Sequence, residues 1–467
     1  MDASLNPVSR RAVPDGLLRV LGVPESAAIV VGTLIGTGIF LVPAEMVGEV
    51  HTLGWILLVW VVGGLLSLFG ALSYAELGVL RPEAGGEYAY LRDGLGPLFG
   101  FLFGWGMFWI IRPVSVATIG AGFARAATAL WPQLTVGLLH VPGLGEVNGQ
   151  QALAAAVILL VTGINYFGVR HGGRVQVWFT ALKLLLLVGL TTAAFTVGKG
   201  DWGHFAQRLP GHITVAGFTA ALVAALWAYD GWNDLTLAGS EIRDPERTIP
   251  RSMILGVLVV FLFYAGINLA YFYVLTPGEV HAAGNVAAAM AARFMGRNAG
   301  RLVAWAVMVS AFATLNSSIL SGARVPFAMA RDRLFFKRLA RVHSRHHTPH
   351  VSLLVQAMFA VLLVGLLGSF QRLYSMTIFA EWLFYTLAIT SLFAFRLRGE
   401  RSPYRSWGYP VLPGIFVVLA LALLVSTFRD NLHDSLLGLG VILLGTPFYY
   451  WWAARKRRGE STAGMAG

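Results

Sequence analysis

The residues best able to do chemistry lie inside apolar segments of the chain. One segment contains Trp227-Ala228-Tyr229-Asp230-Gly231-Trp232-Asn233-Asp234, which sets two carboxylates and an amide among hydrophobic side chains. Lys183, Arg112 and Glu381 are isolated in other apolar segments. Ionisable side chains within a membrane are costly unless they face a partner or a water-filled cavity. We therefore treat these residues as candidates for a binding site or for buried contacts.

A second unusual segment is Gly32-Thr33-Leu34-Ile35-Gly36-Thr37-Gly38-Ile39-Phe40, followed by Pro43. Glycines at this density destabilise a helix, and irregular backbone at membrane depth survives only where protein or a cavity covers it. Close packing against a neighbouring helix would explain Gly32 and Gly36, but it would not explain Gly38 or Pro43. We therefore predict a helix interruption here rather than a packing face alone.

The segment that bears the two carboxylates is predicted to be interrupted too. Its residues could instead lie at a membrane edge, but 213–229 alone is only marginally long enough to span. Apolar character also resumes at 235–238, which favours an interruption at Asp230-Gly231. An interrupted helix exposes free N–H groups on one side and free C=O groups on the other. A carboxylate suits the first and an ammonium the second, so two interruptions could hold the backbone of an amino acid zwitterion.

The composition indicates that lipid surrounds these segments. Of 467 residues, 56% are hydrophobic and 12% are charged, and the mean hydropathy is +0.67. Soluble domains carry roughly 25% charged residues, so a water-soluble fold could not cover its surface with polar groups. The net charge of +12 does not indicate nucleic acid binding, because the basic residues lie between apolar runs and no basic stripe carries stacking aromatics.

We predict an all-α polytopic membrane protein, since a spanning helix needs roughly 20 mostly apolar residues. Twelve spans are predicted at 22–48, 53–80, 97–131, 150–169, 174–198, 213–240, 250–276, 299–330, 349–369, 373–397, 409–428 and 434–454. Lys and Arg are concentrated in alternate connections and at both ends. This asymmetry predicts a protein of the inner membrane with both termini in the cytoplasm. The predicted organisation is a cytoplasmic segment at 1–19, a membrane domain at 20–455 and a cytoplasmic tail at 456–467.

Several kinds of chemistry are disfavoured by the sequence. The chain has no Cys, which excludes thiolate metal sites, a Cys nucleophile and any disulfide to a partner. It has no GxxxxGK[ST] phosphate-binding loop, and its Ser residues have no accompanying buried His, so we expect neither an enzyme nor a cofactor. His343, His346, His347 and His350 crowd one loop, but no carboxylate lies among them and Pro349 breaks the segment. We interpret that loop as basic and solvated, and expect no metal site.

The sequence resembles the amino acid–polyamine–organocation (APC) transporter superfamily, and within it the bacterial branch of the L-amino acid transporter (LAT) group. The resemblance covers roughly residues 15–455 and rests on five motifs in order along the chain. It implies a LeuT-like arrangement of five plus five inverted spans with two more, in which helices 1 and 6 are unwound. The motifs are Gly36-Thr37-Gly38-Ile39-Phe40, Pro82-Glu83-Ala84-Gly85-Gly86-Glu87-Tyr88-Ala89-Tyr90-Leu91-Arg92, Ile110-Ile111-Arg112-Pro113, Tyr229-Asp230-Gly231-Trp232-Asn233 with Glu241, Asp244-Pro245-Glu246-Arg247 and Pro250, and Tyr404-Arg405-Ser406-Trp407-Gly408-Tyr409-Pro410.

The resemblance implies where an L-amino acid substrate would be held. Trp227 stands where relatives have a gating aromatic, and Asp230 stands where several animal relatives have Gly. The Asp230 side chain could approach the substrate amine or cap a helix end, and the sequence favours capping. Animal relatives join a heavy-chain glycoprotein through a Cys that this chain lacks. The implied substrate contacts are Leu34, Ile35, Gly36, Thr37 and Gly38 in the first span, Trp227, Ala228, Asp230 and Asn233 in the sixth, and Phe379 and Trp382 in the tenth.

Lys183 lies well inside the fifth predicted span. A Lys can snorkel toward an interface, but this one lies far from both ends of its span. The resemblance implies that its ammonium replaces the sodium ion of sodium-coupled cousins, donating to carbonyls of the unwound first span and to Ser317 or Ser318 in the eighth. A permanently charged Lys183 would make transport sodium-independent, whereas one that releases its proton would couple transport to pH. The sequence leaves both open.

Arg112 and Glu381 have open roles as well. Arg112 precedes Pro113, whose missing N–H frees carbonyls that could accept from the guanidinium. A structural role is therefore favoured for Arg112 over substrate contact. Glu381 is either a polar anchor of the tenth span or a proton site.

The whole sequence predicts a sodium-independent L-amino acid transporter that works by alternating access, as an exchanger or a proton-coupled importer. Neutral substrates are favoured, because Glu381 is the one acidic residue near the predicted side-chain end of the site. One alternative is a carrier of cationic amino acids or polyamines, with Asp230 and Glu381 binding the extra charge. Another is a sensor that binds an amino acid without transport, although the chain has no soluble signalling domain. Membrane lipids with anionic headgroups are expected at the basic stretch 324–345.

Overall fold

The computed structural model describes residues 16–141, 145–367, 370–430 and 432–464. The predicted N-terminal segment at 1–19 lies almost entirely outside these residues, as does the end of the predicted tail. Most of the described chain is helical. Two short strands of the described chain, β1 (Gly137–Val141) and β2 (Gly145–Asn148), form an antiparallel hairpin between the third and fourth predicted spans.

The first predicted span consists of two helices in the structure. α1 (Val23–Leu34) begins where Glu25 accepts a hydrogen bond from the backbone N–H of Gly22 at 2.9 Å. α2 (Gly38–Val50) follows after three residues, 35–37, that are not helical. The carbonyls at the end of α1 and the N–H groups at the start of α2 therefore lack the partners that a continuous helix would give them.

The sixth predicted span is divided in the same way. α9 (Val215–Ala228) is followed by a turn over 229–233 and by the short α10 (Asp234–Leu237). Gly231 in the turn has a φ of +101°, a conformation that residues with a Cβ rarely adopt. A Cβ at this position would lie 2.3 Å from Cγ2 of Thr33, so the turn after α9 packs directly against the last turn of α1.

The remaining helices surround and connect these two interrupted pairs. A π-helical turn, Met107–Ile111, joins two of them directly before Arg112-Pro113. Short 3₁₀ helices occur at Pro132–Thr135, Trp202–Ala206, Gly239–Glu241, Gly296–Asn298 and Lys337–Ala340. The other α-helices are α3 (Leu53–Leu80), α4 (Glu87–Gly94), α5 (Pro97–Gly106), α6 (Arg112–Ala127), α7 (Gly149–Tyr166), α8 (Val169–Thr196), α11 (Pro245–Val274), α12 (Pro277–Ala282), α13 (Val286–Met295), α14 (Ala299–Gly322), α15 (Arg324–Arg331), α16 (His350–Leu367), α17 (Phe370–Leu397), α18 (Val411–Asp430) and α19 (Leu432–Gly464).

Within the described ranges, nine helical stretches are long and apolar enough to cross a membrane. Shorter apolar helices lie at Val215–Ala228, Val286–Met295 and His350–Gly365. The chain is therefore a multi-pass membrane protein. The nine stretches are Val23–Val50, Leu53–Leu80, Pro97–Ala127, Gly149–Tyr166, Val169–Thr196, Pro245–Val274, Ala299–Arg331, Val411–Arg429 and Ser435–Arg457.

Packing places the interrupted helices at the centre of the molecule. α1 packs against α8, α11 and α14, while α9 packs against α2 and α3. α6 packs against both α14 and α17. The last helix, α19, continues to Gly464, so it passes through the boundary that the sequence placed at 455.

The connection between α3 and α5 docks against α10. The backbone N–H of Gly85 donates to the carbonyl of Leu237 at 2.8 Å. Gly86 has a φ of +43°, and a Cβ there would lie 2.7 Å from the backbone of Thr236, so only glycine fits this close approach. We refer to this end of the molecule as the α4 end. Ion pairs between Arg81 and Asp93, Arg81 and Glu400, and Arg92 and Asp332 join the helix ends there.

Candidate binding site

The two interruptions face one central cavity. It holds about 1020 Å³ of empty space, its open part included. Residues of α5, α6, α14 and α17 complete the wall, together with Glu87 at the start of α4. The lining residues from the interrupted helices are Thr33, Leu34, Gly36, Thr37, Gly38, Trp227, Ala228, Asp230, Gly231, Asn233 and Asp234.

Eight of the eleven substrate contacts implied by the sequence lie on this cavity. Gly38 and Trp227 are close neighbours, because a Cβ on Gly38 would lie 3.2 Å from the Trp227 ring. Ile35 does not line the cavity. Its side chain is fully buried, and its carbonyl accepts hydrogen bonds from Lys183 of α8 and Ser310 of α14. The eight are Leu34, Gly36, Thr37, Gly38, Trp227, Ala228, Asp230 and Asn233.

Phe379 and Trp382, the other two implied contacts, line a separate and smaller cavity. It lies between α9, α17 and α18 and has apolar walls that include Val223 and Leu423. The central cavity instead receives Glu381 and Tyr385 from α17. Residues 381 and 385 are one helical turn apart and share a face, whereas 379 and 382 lie on the neighbouring face. The structure therefore places Glu381 and Tyr385, rather than Phe379 and Trp382, on the central cavity.

Lys183 binds the free end of α1. Its side chain is 1% exposed, and Nζ donates to the carbonyls of Gly32 at 2.7 Å and of Ile35 at 2.6 Å. These carbonyls belong to the last turn of α1 and to the residue after it, where helical partners are missing. A positive charge at a helix C-terminus also interacts favourably with the helix dipole.

Two hydroxyls of α14 bind the same carbonyls. Ser310 Oγ donates to Ile35 O at 2.8 Å, and Thr314 Oγ1 donates to Gly32 O at 2.9 Å. The family resemblance implied Ser317 or Ser318 instead, which lie about one turn beyond Thr314 along α14. There α1 is still an intact helix, and Ser317 reaches only Ile29 O at 3.5 Å. Ser318 lines the cavity.

Tyr264 of α11 joins the two interruptions and was missed by the sequence reasoning. Its hydroxyl lies 2.8 Å from Leu34 O and 2.8 Å from Ala228 O, the last residues of α1 and α9. A hydroxyl has one proton to donate, so the two carbonyls share it. An aromatic residue in an apolar helix gives no sequence signal for this role.

Asp230 and Asn233 are bound to elements outside their own helix. The hydroxyl of Tyr385 donates to Asp230 Oδ1 at 2.8 Å and lies 3.2 Å from Asn233 Oδ1. Asn233 Nδ2 donates to Glu87 Oε1 at 2.5 Å. The N-cap residue of α10 is Asn233, whose side chain makes no capping hydrogen bond, and the described side-chain partner of Asp230 is Tyr385. Glu87 is within a quoted motif, but nothing local in the sequence indicates its contact with Asn233.

Arg112 pairs with Asp234. Its two terminal nitrogens donate to the carboxylate at 2.6 and 3.2 Å, and both side chains are buried. The stem of Arg112 crosses Gly322, where a Cβ would lie 2.4 Å from Cγ of the arginine. The expected contact with carbonyls freed by Pro113 is thus replaced by an ion pair between α6 and α10. A structural role for Arg112 remains consistent with this geometry.

Comparisons with known proteins identify the family of the chain. The family model described as amino acid permease matches residues 21–453. The chain belongs to this family. It is 33% identical over 447 residues to the serine/threonine exchanger SteT of Bacillus subtilis, covering 95% of this chain and 98% of the relative. It is 31% identical over 388 residues to the b(0,+)-type amino acid transporter 1 of Oryctolagus cuniculus, covering 81% and 76%. The Asc-type amino acid transporter 1 of Mus musculus is 28% identical over 456 residues, covering 94% and 83%.

The cavity of this permease is lined by an excess of acidic groups. Asp230, Asp234, Glu87 and Glu381 line it, and Arg112 is the one cationic side chain among its described lining residues. Arg112 compensates Asp234 directly. Asp230 and Glu87 accept hydrogen bonds from the neutral side chains of Tyr385 and Asn233.

The histidine-rich loop of the permease contains no arrangement of metal ligands among the described residues. The rings of His343 and His346 lie 4.5 Å apart and pack with Tyr166. The ring nitrogen Nδ1 of His343 accepts hydrogen bonds from the backbone N–H groups of Arg345 and His346. These contacts shape a turn at the α4 end.

Proposed function

We infer that the chain is a sodium-independent L-amino acid transporter working by alternating access. Membership of the amino acid permease family and the exchangers and transporters among its relatives support transport rather than catalysis. The observation that carries the proposal is the pair of interrupted helices on one cavity, with their free ends already partly bound by Lys183 and Tyr264.

The amino acid backbone would bind between the interruptions. The substrate carboxylate fits the N-terminal end of α2, where Gly36 and Gly38 allow close approach to N–H groups. The ammonium fits the opposite side, beside the carbonyls at the ends of α1 and α9. Trp227 lies next to both and would cover the bound substrate.

The position of Lys183 supports the proposed sodium independence. Sodium is a hard cation that binds carbonyl and hydroxyl oxygens, and the Lys183 ammonium already occupies the carbonyls of Gly32 and Ile35. Ser310 and Thr314 add hydroxyls at the same place. We propose that this fixed charge holds α1 as a bound sodium ion would, with exchange or proton coupling as the driving process.

The proposed topology has twelve spans in a LeuT-like five-plus-five inverted repeat, with both termini cytoplasmic in the inner membrane. Nine long apolar stretches, the interrupted sixth span and the apolar α16 support this number, and α17 supplies the twelfth. The transporter domain would cover 20–455. The α4 end is then cytoplasmic.

Neutral L-amino acids are the proposed substrates. The name of the Bacillus subtilis relative, a serine/threonine exchanger, supports that class. The acidic cavity favours a second candidate, a cationic amino acid or a polyamine, whose extra charge Asp230 and Glu381 would bind. Replacing Asp230 with Asn separates the two classes, because it should abolish uptake of lysine or a diamine and spare uptake of alanine.

The deciding experiment is uptake of radiolabelled alanine, leucine and lysine into proteoliposomes. Vesicles are loaded with unlabelled amino acid or left empty, with and without sodium and an inward pH gradient. Uptake only into loaded vesicles, unchanged by sodium, would show an exchanger. Gradient-driven uptake into empty vesicles would show proton coupling. Sodium-dependent uptake, or none of any amino acid, would contradict the proposal.

A further inference from the structure

The turn after α9 and the start of α10 are fastened to three other helices. Asp230 binds Tyr385 of α17, Asn233 binds Glu87 of α4, and Asp234 binds Arg112 of α6. All three contacts lie on the cavity, since each partner lines it. Of the three, only the contact of Asp234 pairs opposite charges.

The Arg112–Asp234 ion pair is buried and bidentate. The side chains are 9% and 3% exposed, and the guanidinium donates from both terminal nitrogens. Two opposite charges attract more strongly where water is excluded. Gly322 leaves the space that the stem of Arg112 needs to reach α10, so α14 also shapes the pair.

Backbone contacts join α10 and the segment after it to the residue before α1 and to the loop before α4. Residue Leu21, before α1, bridges Ile242, and the N–H of Arg243 donates to Leu21 O at 2.8 Å. The N–H of Gly85 donates to Leu237 O on the other side of α10. The side chains of Arg112 and Asp234 join α6 to α10, so a movement of α10 away from α6 would separate them.

We propose that the Arg112–Asp234 ion pair is a latch that keeps the cavity closed at the α4 end. Breaking the pair releases α10 from α6 and biases the molecule toward the conformation that is open on that side. This inference rests on the proposed alternating access, because it assigns the pair to one of the two conformations. Both residues line the cavity, so the latch lies where a bound substrate can affect it.

A single introduced thiol can measure the opening. The chain has no Cys, so Ser115→Cys supplies the one reactive thiol. Ser115 lines the cavity and lies about one turn from Arg112 on α6. Inside-out membrane vesicles are treated with a membrane-impermeant methanethiosulfonate in the absence of amino acid, and the rate of modification is followed. Adding Asp234→Asn should raise this rate by about tenfold, within the range typical of conformational coupling.

Three further variants separate a latch from other effects. Arg112→Gln combined with Asp234→Asn should raise the rate as much as Asp234→Asn alone, and a return to the rate of Ser115→Cys would show that an unpaired charge, not a lost latch, caused the change. Glu76→Gln disrupts another ion pair, the partly buried one with Arg396, outside the cavity lining, and should leave the rate unchanged. Arg112→Lys keeps the charge with fewer donors and should give a smaller rise, which serves if Asp234→Asn does not fold.

The rate of thiol modification in these variants decides whether the Arg112–Asp234 pair acts as a latch. An unchanged rate with Asp234→Asn, or an equal rise with Glu76→Gln, would overturn the latch. The measurement uses no substrate, so failure of the proposed amino acid transport would appear in the proteoliposome uptake and not in the modification rate.

Discussion

Single side chains complete the hydrogen bonding that the interrupted helices cannot complete themselves. Lys183 binds Gly32 O and Ile35 O, and Tyr264 binds Leu34 O and Ala228 O. Lys183 could be found from the sequence, because an isolated ionisable residue in an apolar span is costly and conspicuous. Tyr264 could not, because only its hydroxyl is polar and its partners are 230 and 36 residues away.

Replacing Lys183 with Ala should reduce uptake by more than about tenfold. The change removes two charge-assisted hydrogen bonds, each worth about 1.5–3 kcal/mol, and leaves the carbonyls of Gly32 and Ile35 with the hydroxyls of Ser310 and Thr314. Initial uptake into proteoliposomes, measured at several pH values, tests this. Lys337→Ala, on an exposed residue, is the matched control and should transport normally. Unaltered uptake with unaltered pH dependence in Lys183→Ala would refute the role given to Lys183.

Tyr264→Phe should raise the KM for the amino acid by roughly 3–10-fold with a smaller effect on kcat. The ring contacts with Trp60 and Tyr229 are kept, while Ala228 O loses the hydroxyl donor and Leu34 O keeps only the backbone N–H of Gly36, a loss of about 1–3 kcal/mol. Tyr229→Phe is the control, since the Tyr229 hydroxyl has no hydrogen-bond partner in the described structure. Equal KM values for the two variants would show that the hydroxyl of Tyr264 does not align the site.

At the scale of helices, local composition predicts where a helix is interrupted, but not which residues each face of the helix contacts. The glycines at 32–38 and the polar run at 230–234 predict interruptions that the structure has at 35–37 and 229–233. The partner of Arg112 lies 122 residues away, so spacing could not identify Asp234. Phe379 and Trp382 show the same limit, because a helix of known residues can present any of its faces to the cavity until its packing is known.

The turn at Gly231 should not tolerate a side chain. Its φ of +101° and the 2.3 Å approach of a Cβ to Thr33 predict that Gly231→Ala destabilises the fold by about 1–3 kcal/mol or more and lowers uptake. Thermal unfolding in detergent and proteoliposome uptake measure both effects. Gly189→Ala is the control, because a Cβ there meets nothing within 4 Å, and in α8 it should be neutral or slightly stabilising. A fully stable and active Gly231→Ala variant would show that the turn does not require glycine.

At the scale of the whole molecule, composition and charge predict that lipid surrounds the chain and in which direction it is inserted. Contacts between single residues do not reveal either property. The low charged fraction predicted a membrane protein before any helix was placed, and the apolar helices agree with it. The asymmetry of Lys and Arg between connections predicts the direction of insertion. The predicted direction would place the α4 end, with its ion pairs, in the cytoplasm.

The predicted orientation can be measured with two more single thiols in this chain without Cys. Gln133, between α6 and α7, and Ser344, between α15 and α16, are both exposed. The proposed topology places five spans between them, so they must lie on opposite sides of the membrane. A membrane-impermeant maleimide should modify Gln133→Cys in intact cells and Ser344→Cys only in inside-out vesicles. Modification of both from one side would contradict the number of spans between them, and the reverse pattern would place the α4 end, and with it the latch, at the outer surface.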